Sequence, residues 1–104
     1  MNKKFTVKYV EEFWEDLKPA IDWYDEISKP LVSKFLGHIW KAENKVCINP
    51  FAFYKTSKNG FRRILLPGFP YKIYFKIELE VIYFIALIHT ARSNRFIGKR
   101  LKKK

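Results

Sequence analysis

Hydrophobic and polar residues alternate at the start of the chain, and then the period changes. Phe5, Val7 and Tyr9 alternate with Lys4, Thr6 and Lys8. A period of two is that of a half-buried strand, so a strand is expected at about 4–10. From Glu11 onward Phe13, Leu17, Ile21 and Tyr24 recur at helical spacing, with Glu12, Glu15, Asp16, Asp22 and Asp25 at the other positions. Acids early in a helix suit its positive dipole end. Pro19 removes a backbone donor, so the segment reads either as one kinked helix or as two short helices meeting at Lys18-Pro19.

A second helix is expected to start at Pro30, after Ser28 and Lys29, because proline suits a first helical position. Leu31, Phe35, Ile39, Ala42 and Val46 form its apolar face, and Asn49-Pro50 ends it. His38 is read as a surface residue opposite that face. The two helices make an antiparallel hairpin that must bury its apolar stripes on a sheet. Residues 51–60 read as a loop closed by the turn signal Asn59-Gly60.

Three strands then follow, at about 61–66, 70–77 and 81–89. Pro67-Gly68 links the first pair and Glu78-Leu79-Glu80 the second. In the middle strand Tyr71, Ile73, Phe75 and Ile77 share one face, while Lys72, Tyr74 and Lys76 share the other. The first face is assigned to the core and the second to solvent and function. The last strand is apolar on both faces, as a central strand should be. The fold class is therefore α+β with element order β-α-α-β-β-β, a helical hairpin packed on a small antiparallel sheet. Its 104 residues make one domain, placed at 1–98. The basic stretch 99–104, KRLKKK, is expected to be a disordered tail.

Charge sharpens this picture. The formal net charge is +11, and it is unevenly spread. Residues 1–26 hold 4 basic and 7 acidic groups, whereas residues 27–104 hold 17 basic groups and 3 acids. So strong a cation attracts nucleic acid, the ribosome, an anionic membrane or an acidic protein, and such binding should weaken as salt rises. The single cysteine, Cys47, excludes a disulfide framework and reads as a packing residue, which fits the cytoplasm. No signal peptide follows MNKK, and the apolar run from Val81 to Ile88 is too short to span a bilayer. No metal or cofactor motif is present: there is no glycine-rich phosphate loop, H-E-x-x-H or G-x-S-x-G.

The remaining candidate chemistry is a cationic constellation. Arg62, Arg63, Lys76 and Arg95 are read as contacts to a target or to nucleic acid. Lys72, His89 and Arg92 become catalytic candidates if that target is RNA. His89 or a lysine would take the ribose 2′-OH proton, and Arg63 or Arg92 would stabilise the charge on the phosphorane. The plainer reading is that these cations only hold phosphate or an acidic protein.

The segments WYDEISKPLVSKFLGHI, INPFAF, GFRRILLPGFPYKIYFKIE and IALIHTAR together resemble the RelE/ParE superfamily of bacterial toxins, and its ParE-like plasmid-stabilisation branch in particular. The resemblance spans about 10–95 of the chain, and the family's order of a strand, two helices and a meander agrees with the element order read above. It implies a growth-inhibiting toxin of a type II toxin–antitoxin system, neutralised by a cognate antitoxin. ParE-like members poison DNA gyrase; RelE-like members cleave mRNA on the ribosome. Lys72 stands where RelE-like enzymes often carry arginine, and Arg92 matches the arginine after the last strand. The C-terminal tyrosine of the RelE-like branch has no counterpart, since no tyrosine follows Tyr83. The resemblance therefore favours a protein target such as gyrase over an mRNA endonuclease, with a non-toxic basic binding module as the third reading.

Overall fold

The computed structural model describes residues 5–56 and 60–102. Its elements run β1 (Thr6–Tyr9), α1 (Glu11–Ile27), α2 (Lys29–Ile48), a 3-10 turn (Pro50–Ala52), β2 (Arg62–Leu65), β3 (Tyr71–Glu78), β4 (Val81–His89) and α3 (Asn94–Lys102). The expected order is present, and a third helix is added to it. The four strands form one sheet in the order β1-β4-β3-β2. The meander β2-β3-β4 is antiparallel, while β1 lies parallel to β4. The sheet is thus mixed rather than wholly antiparallel. A parallel neighbour is what the long return through two helices permits.

The helical hairpin follows from local chemistry. Ser28 ends α1 and starts α2. Its N–H donates to the Tyr24 carbonyl at 2.9 Å, and its Oγ accepts from the Leu31 N–H at 3.3 Å. Pro30 stands in the first turn of α2, where no donor is missed. Pro19 lies inside α1, which is one continuous helix and not two. Pro19 is exposed, so water can take the place of the helical bond it removes.

One core lies between hairpin and sheet. Phe13, Leu17, Ala20 and Tyr24 of α1 and Phe35, Ile39, Ala42 and Val46 of α2 meet Ile64, Ile73, Phe75, Ile82, Phe84 and Leu87. Cys47 is buried at the end of α2. His38 does not stand opposite the apolar stripe. It is half-buried, its ring 5.5 Å from that of Phe69. It follows Phe35 by three residues and precedes Ala42 by four, which places it on the flank of the same face.

The other face of the sheet is covered too. Phe61, Tyr74, Ile85, Ala86 and Ile88 form a second core with Ile97 and Leu101 of α3. This corrects two expectations. The basic segment from residue 99 is helical as far as Lys102, with Leu101 only 5% exposed, and residues 103 and 104 lie outside the described residues. Tyr74, assigned to the working face, is 1% exposed. An apolar spacing hidden among cations explains both. Ile97 and Leu101 are four residues apart and fall on one side of a helix, while Arg95, Lys99 and Lys102 turn to water.

Turns carry the expected signals where they are described. Gly60 and Gly68 have φ of +86° and +79°, a region that glycine enters freely. Asn59 lies outside the described residues. Between β3 and β4, Leu79 takes φ +58° at the tip of a two-residue loop.

Tyr9 ties β1 to α2 by donating its hydroxyl to Glu43. Burial, and then the hydrogen bond and charge of Glu43, hold this phenol neutral well above the usual tyrosine range. Its folded value is raised, so the stabilisation is complete below the unfolded value of about 10 and declines as pH climbs beyond it. Thermal unfolding should therefore show stability falling above about pH 10, and Tyr9→Phe should make that fall shallower. Equal alkaline slopes for the two proteins would remove Tyr9 as the cause.

Candidate target-binding surface

Strand alternation and one irregularity decide where the cations go. On β3, Lys72, Tyr74 and Lys76 face α3, while Tyr71, Ile73, Phe75 and Ile77 face the hairpin. Arg63 pairs with Tyr74 across β2 and β3, so it shares the α3 side. Arg62 is opposite Phe75 and turns the other way. Its guanidinium donates to the Phe53 carbonyl at 2.7 Å and the Phe51 carbonyl at 3.4 Å, which makes it a brace for residues 51–53.

β4 carries a bulge. Phe75 pairs with Phe84, but Tyr74 pairs with Ala86, so Ile85 is an extra residue without an opposite number. Beyond the bulge every side chain of β4 changes face. His89 therefore pairs with Tyr71, their rings 5.2 Å apart, on the hairpin side. Lys72 pairs with Ile88 on the α3 side. The expected catalytic set is thus divided: Lys72 lies on one face of the sheet and His89 on the other. Arg92 follows in the turn after β4, its guanidinium 4.5 Å from the Phe96 ring, and its N–H donates to the His89 carbonyl at 3.0 Å. The Ala91 N–H donates to His89 Nδ1 at 3.0 Å, so this nitrogen is an acceptor and any proton on the neutral ring sits on Nε2.

The cations on the α3 side are each backed by an aromatic ring. Arg63 lies 4.5 Å from the Tyr54 ring, Lys72 5.7 Å from Tyr74 and Lys76 5.4 Å from Phe61. Lys76 also sits 3.8 Å from Glu78. A cleft of about 400 Å³ opens beside this row, between Tyr54, Thr56 and Arg63 on one wall and Asn94, Ile97 and Gly98 of α3 on the other. Tyr54 is 62% exposed, so the Arg63–Tyr54 stack presents a flat, cationic platform to solvent. Arg95 is exposed on α3. Of the expected binding residues, Arg63 and Lys76 join Lys72 on one surface, while Arg62 is spent on the loop.

Sequence reasoning missed the residues that anchor this surface. Arg100 grips Asp16 with both nitrogens, each pair at 2.7 Å, and its Nη2 donates also to the Glu12 carbonyl at 3.3 Å and the Ile85 carbonyl at 3.5 Å. Asp16 accepts in addition from the Leu87 N–H at 3.0 Å. Two side chains far apart in sequence thus bond backbone groups at the bulge and just beyond it, and clamp α3 to α1. By pattern Asp16 is one of the acids off the apolar stripe of α1, and Arg100 belongs to the stretch expected to be a tail. A smaller cleft of about 210 Å³ lies alongside, lined by Glu15, Asp16, Tyr71, His89, Arg92 and Arg100. Among the described residues, no three His, Cys, Asp or Glu side chains gather to hold a metal ion, and no helix is long and apolar enough to cross a membrane.

No protein-family profile matches this sequence, and no curated protein does. Structure reaches further. A chain of the chromosomal ParDE TA system from P. aeruginosa superposes with a TM-score of 0.72, covering 85% of this chain and 98% of that one at 15% identity. This chain shares the fold of that ParDE chain. Nearly all of the ParDE chain is matched, so the likeness is to a whole fold and not to a shared hairpin. In this chain the helical hairpin lies on one side of the sheet and the aromatic-backed cations on the other.

Proposed function

We propose that this chain is the growth-inhibiting toxin half of a type II toxin–antitoxin pair, and that it acts by binding a protein target, with DNA gyrase the first to test. The observation that carries the mode of action is the division of Lys72 from His89 by the β4 bulge. General acid–base cleavage of RNA needs its proton donor and acceptor within reach of one scissile phosphate. The row of Arg63, Lys72 and Lys76 supports a binding surface for an acidic partner instead. The ParE-like fold supports the toxin assignment, and the excess of positive charge supports an acidic antitoxin. The same cations are what favours the rival reading, a ribosome-dependent mRNA endonuclease.

Induced expression in bacteria without an antitoxin is expected to arrest growth, with DNA breaks and a DNA-damage response while mRNA ends stay unchanged. Reversing Arg63 and Lys72 to glutamate should relieve the arrest, because losing two steering charges weakens such an association by roughly tenfold or more. New in-frame cuts within codons would replace this proposal by the nuclease reading. Full growth with soluble, folded protein would sink both and leave a non-toxic binding module.

A further inference from the structure

We infer that Tyr9, Trp14 and Trp40, with the Glu43 carboxylate beside them, form a site for the quaternary ammonium head of a small organic molecule. The site lies on the hairpin side of the sheet, opposite α3, and does not depend on the toxin reading.

Two exposed indoles flank one pocket. Trp14 is 53% and Trp40 69% exposed, unusual for so large an apolar side chain. Both line a pocket of about 100 Å³ together with Tyr9, Leu36 and Glu43. A second cleft of about 290 Å³ shares Trp40 and Glu43 with it. The pocket has room for a head group but not for a whole drug-sized ligand, which takes about 300–1,000 Å³. Its rings are held in place. Tyr9 stacks on Trp14 with centroids 5.0 Å apart, and packs edge-on against Phe13 at 5.2 Å and Phe84 at 5.1 Å. On α2, Leu36, Trp40 and Glu43 are spaced by four and three residues, so they share one side of the helix.

Local charge runs against the charge of the chain. The net charge is +11, yet no lysine or arginine lines either cleft. Glu43 is the one acid there, and among the described residues no base forms an ion pair with it. The Tyr9 hydroxyl donates to its Oε1, which leaves the carboxylate charged. Lys18, the single base of α1, is turned to Asp22 at 4.0 Å, and Lys41 lines a groove on the other flank of α2. An indole face carries negative potential and is the best aromatic partner for a cation. Donor count decides which cation. A primary ammonium brings three donors and a guanidinium five. Glu43 is the one charged acceptor in the pocket, and its Oε1 is already engaged by Tyr9. Donors left unmet there would be costly. A quaternary ammonium has no donor to satisfy, and its methyl groups suit the indoles and Leu36.

The test is choline chloride titrated into the full chain at constant ionic strength, with the indole N–H signals followed by NMR. Those of Trp14 and Trp40 should shift with half-saturation on the order of 1–10 mM, while that of Trp23, also exposed on α1, should stay. The carbon analogue of choline, with a tert-butyl group in place of trimethylammonium, should bind at least about fivefold more weakly. Trp40→Leu keeps an apolar wall without a π face and should weaken choline by about fivefold or more. Glu43→Gln keeps an acceptor for the Tyr9 hydroxyl, removes the charge, and should weaken choline roughly threefold or more. Thermal midpoints check that both variants fold. A peptide carrying one trimethyllysine should bind no tighter than choline. No shift at about 100 mM choline would overturn the site. So would equal affinity for the neutral analogue, a Trp23 signal that moves with the other two, or either folded variant binding choline as the parent does. Tighter binding of the peptide would overturn the small molecule as the source of the head group.

Discussion

Asp16→Ala is expected to lower the unfolding free energy by about 2–3 kcal/mol, somewhat below the roughly 3–5 kcal/mol for removing one partner of a fully buried ion pair, because both side chains keep some contact with water. For a domain of this size the thermal midpoint should fall by roughly 10–20 °C. The side chains of Asp16 and Arg100 are only 18% and 19% exposed, and they meet through two bonds of 2.7 Å. Removing the carboxylate leaves the Arg100 guanidinium half-compensated. It also orphans the Leu87 N–H just beyond the bulge. Asp16→Asn keeps an acceptor for that N–H and should cost less than the alanine variant. Arg100→Ala should cost less as well, because it spares the bond from Leu87. A midpoint within about 2 °C of the parent for Asp16→Ala would show that the clasp contributes little, since even 1 kcal/mol moves such a domain by more than that.

Replacing Ile97 and Leu101 together by serine is expected to cost about 3–6 kcal/mol, the sum for two buried aliphatic side chains. These are the only apolar anchors of α3 buried against the sheet among the described residues. Without them the helix detaches, and Phe61, Tyr74, Ile85 and Ile88 lose their cover. Hydrogen exchange should show the α3 amides opening before those of β3 and β4, and an apolar dye should bind. The reason is that the hairpin core on the other face remains packed. Retained α3 protection with an unchanged midpoint would refute the role given to these two residues.

Both experiments concern the part of the molecule that was hardest to read. The hairpin and the meander were legible because each rests on local chemistry. The stripe Phe13, Leu17 and Tyr24, the Ser28–Pro30 start of α2, the Asn49–Pro50 stop, and the alternation of Tyr71 to Ile77 all act within a few residues. α3 was not legible. Its two anchors sit in a run of cations whose composition resembles a tail, and short helices draw their stability from tertiary packing. His38 was misplaced by one flank of its helix, an error that a partner such as Phe69 reveals and periodicity alone does not.

The candidate site was half legible for the same reason. Arg63, Lys72 and Lys76 share a face because alternation on β2 and β3 is regular. His89 leaves that face because one unpaired residue, Ile85, reverses the alternation before the strand ends. In an unbroken ladder His89 would lie on the side of Lys72, and the two would stand as a plausible acid–base pair.

The amino-acid sequence by itself determined the element order, the faces of the hairpin and of β3, and the excess of positive charge, because these depend on spacing and composition. Tertiary structure decided the parallel pairing of β1 with β4, the docking of α3 by Ile97, Leu101 and the Arg100–Asp16 clasp, and the side to which His89 turns. Each of these depends on partners distant in the chain, and a local pattern carries no record of which distant group will satisfy an exposed backbone bond or cover an apolar face.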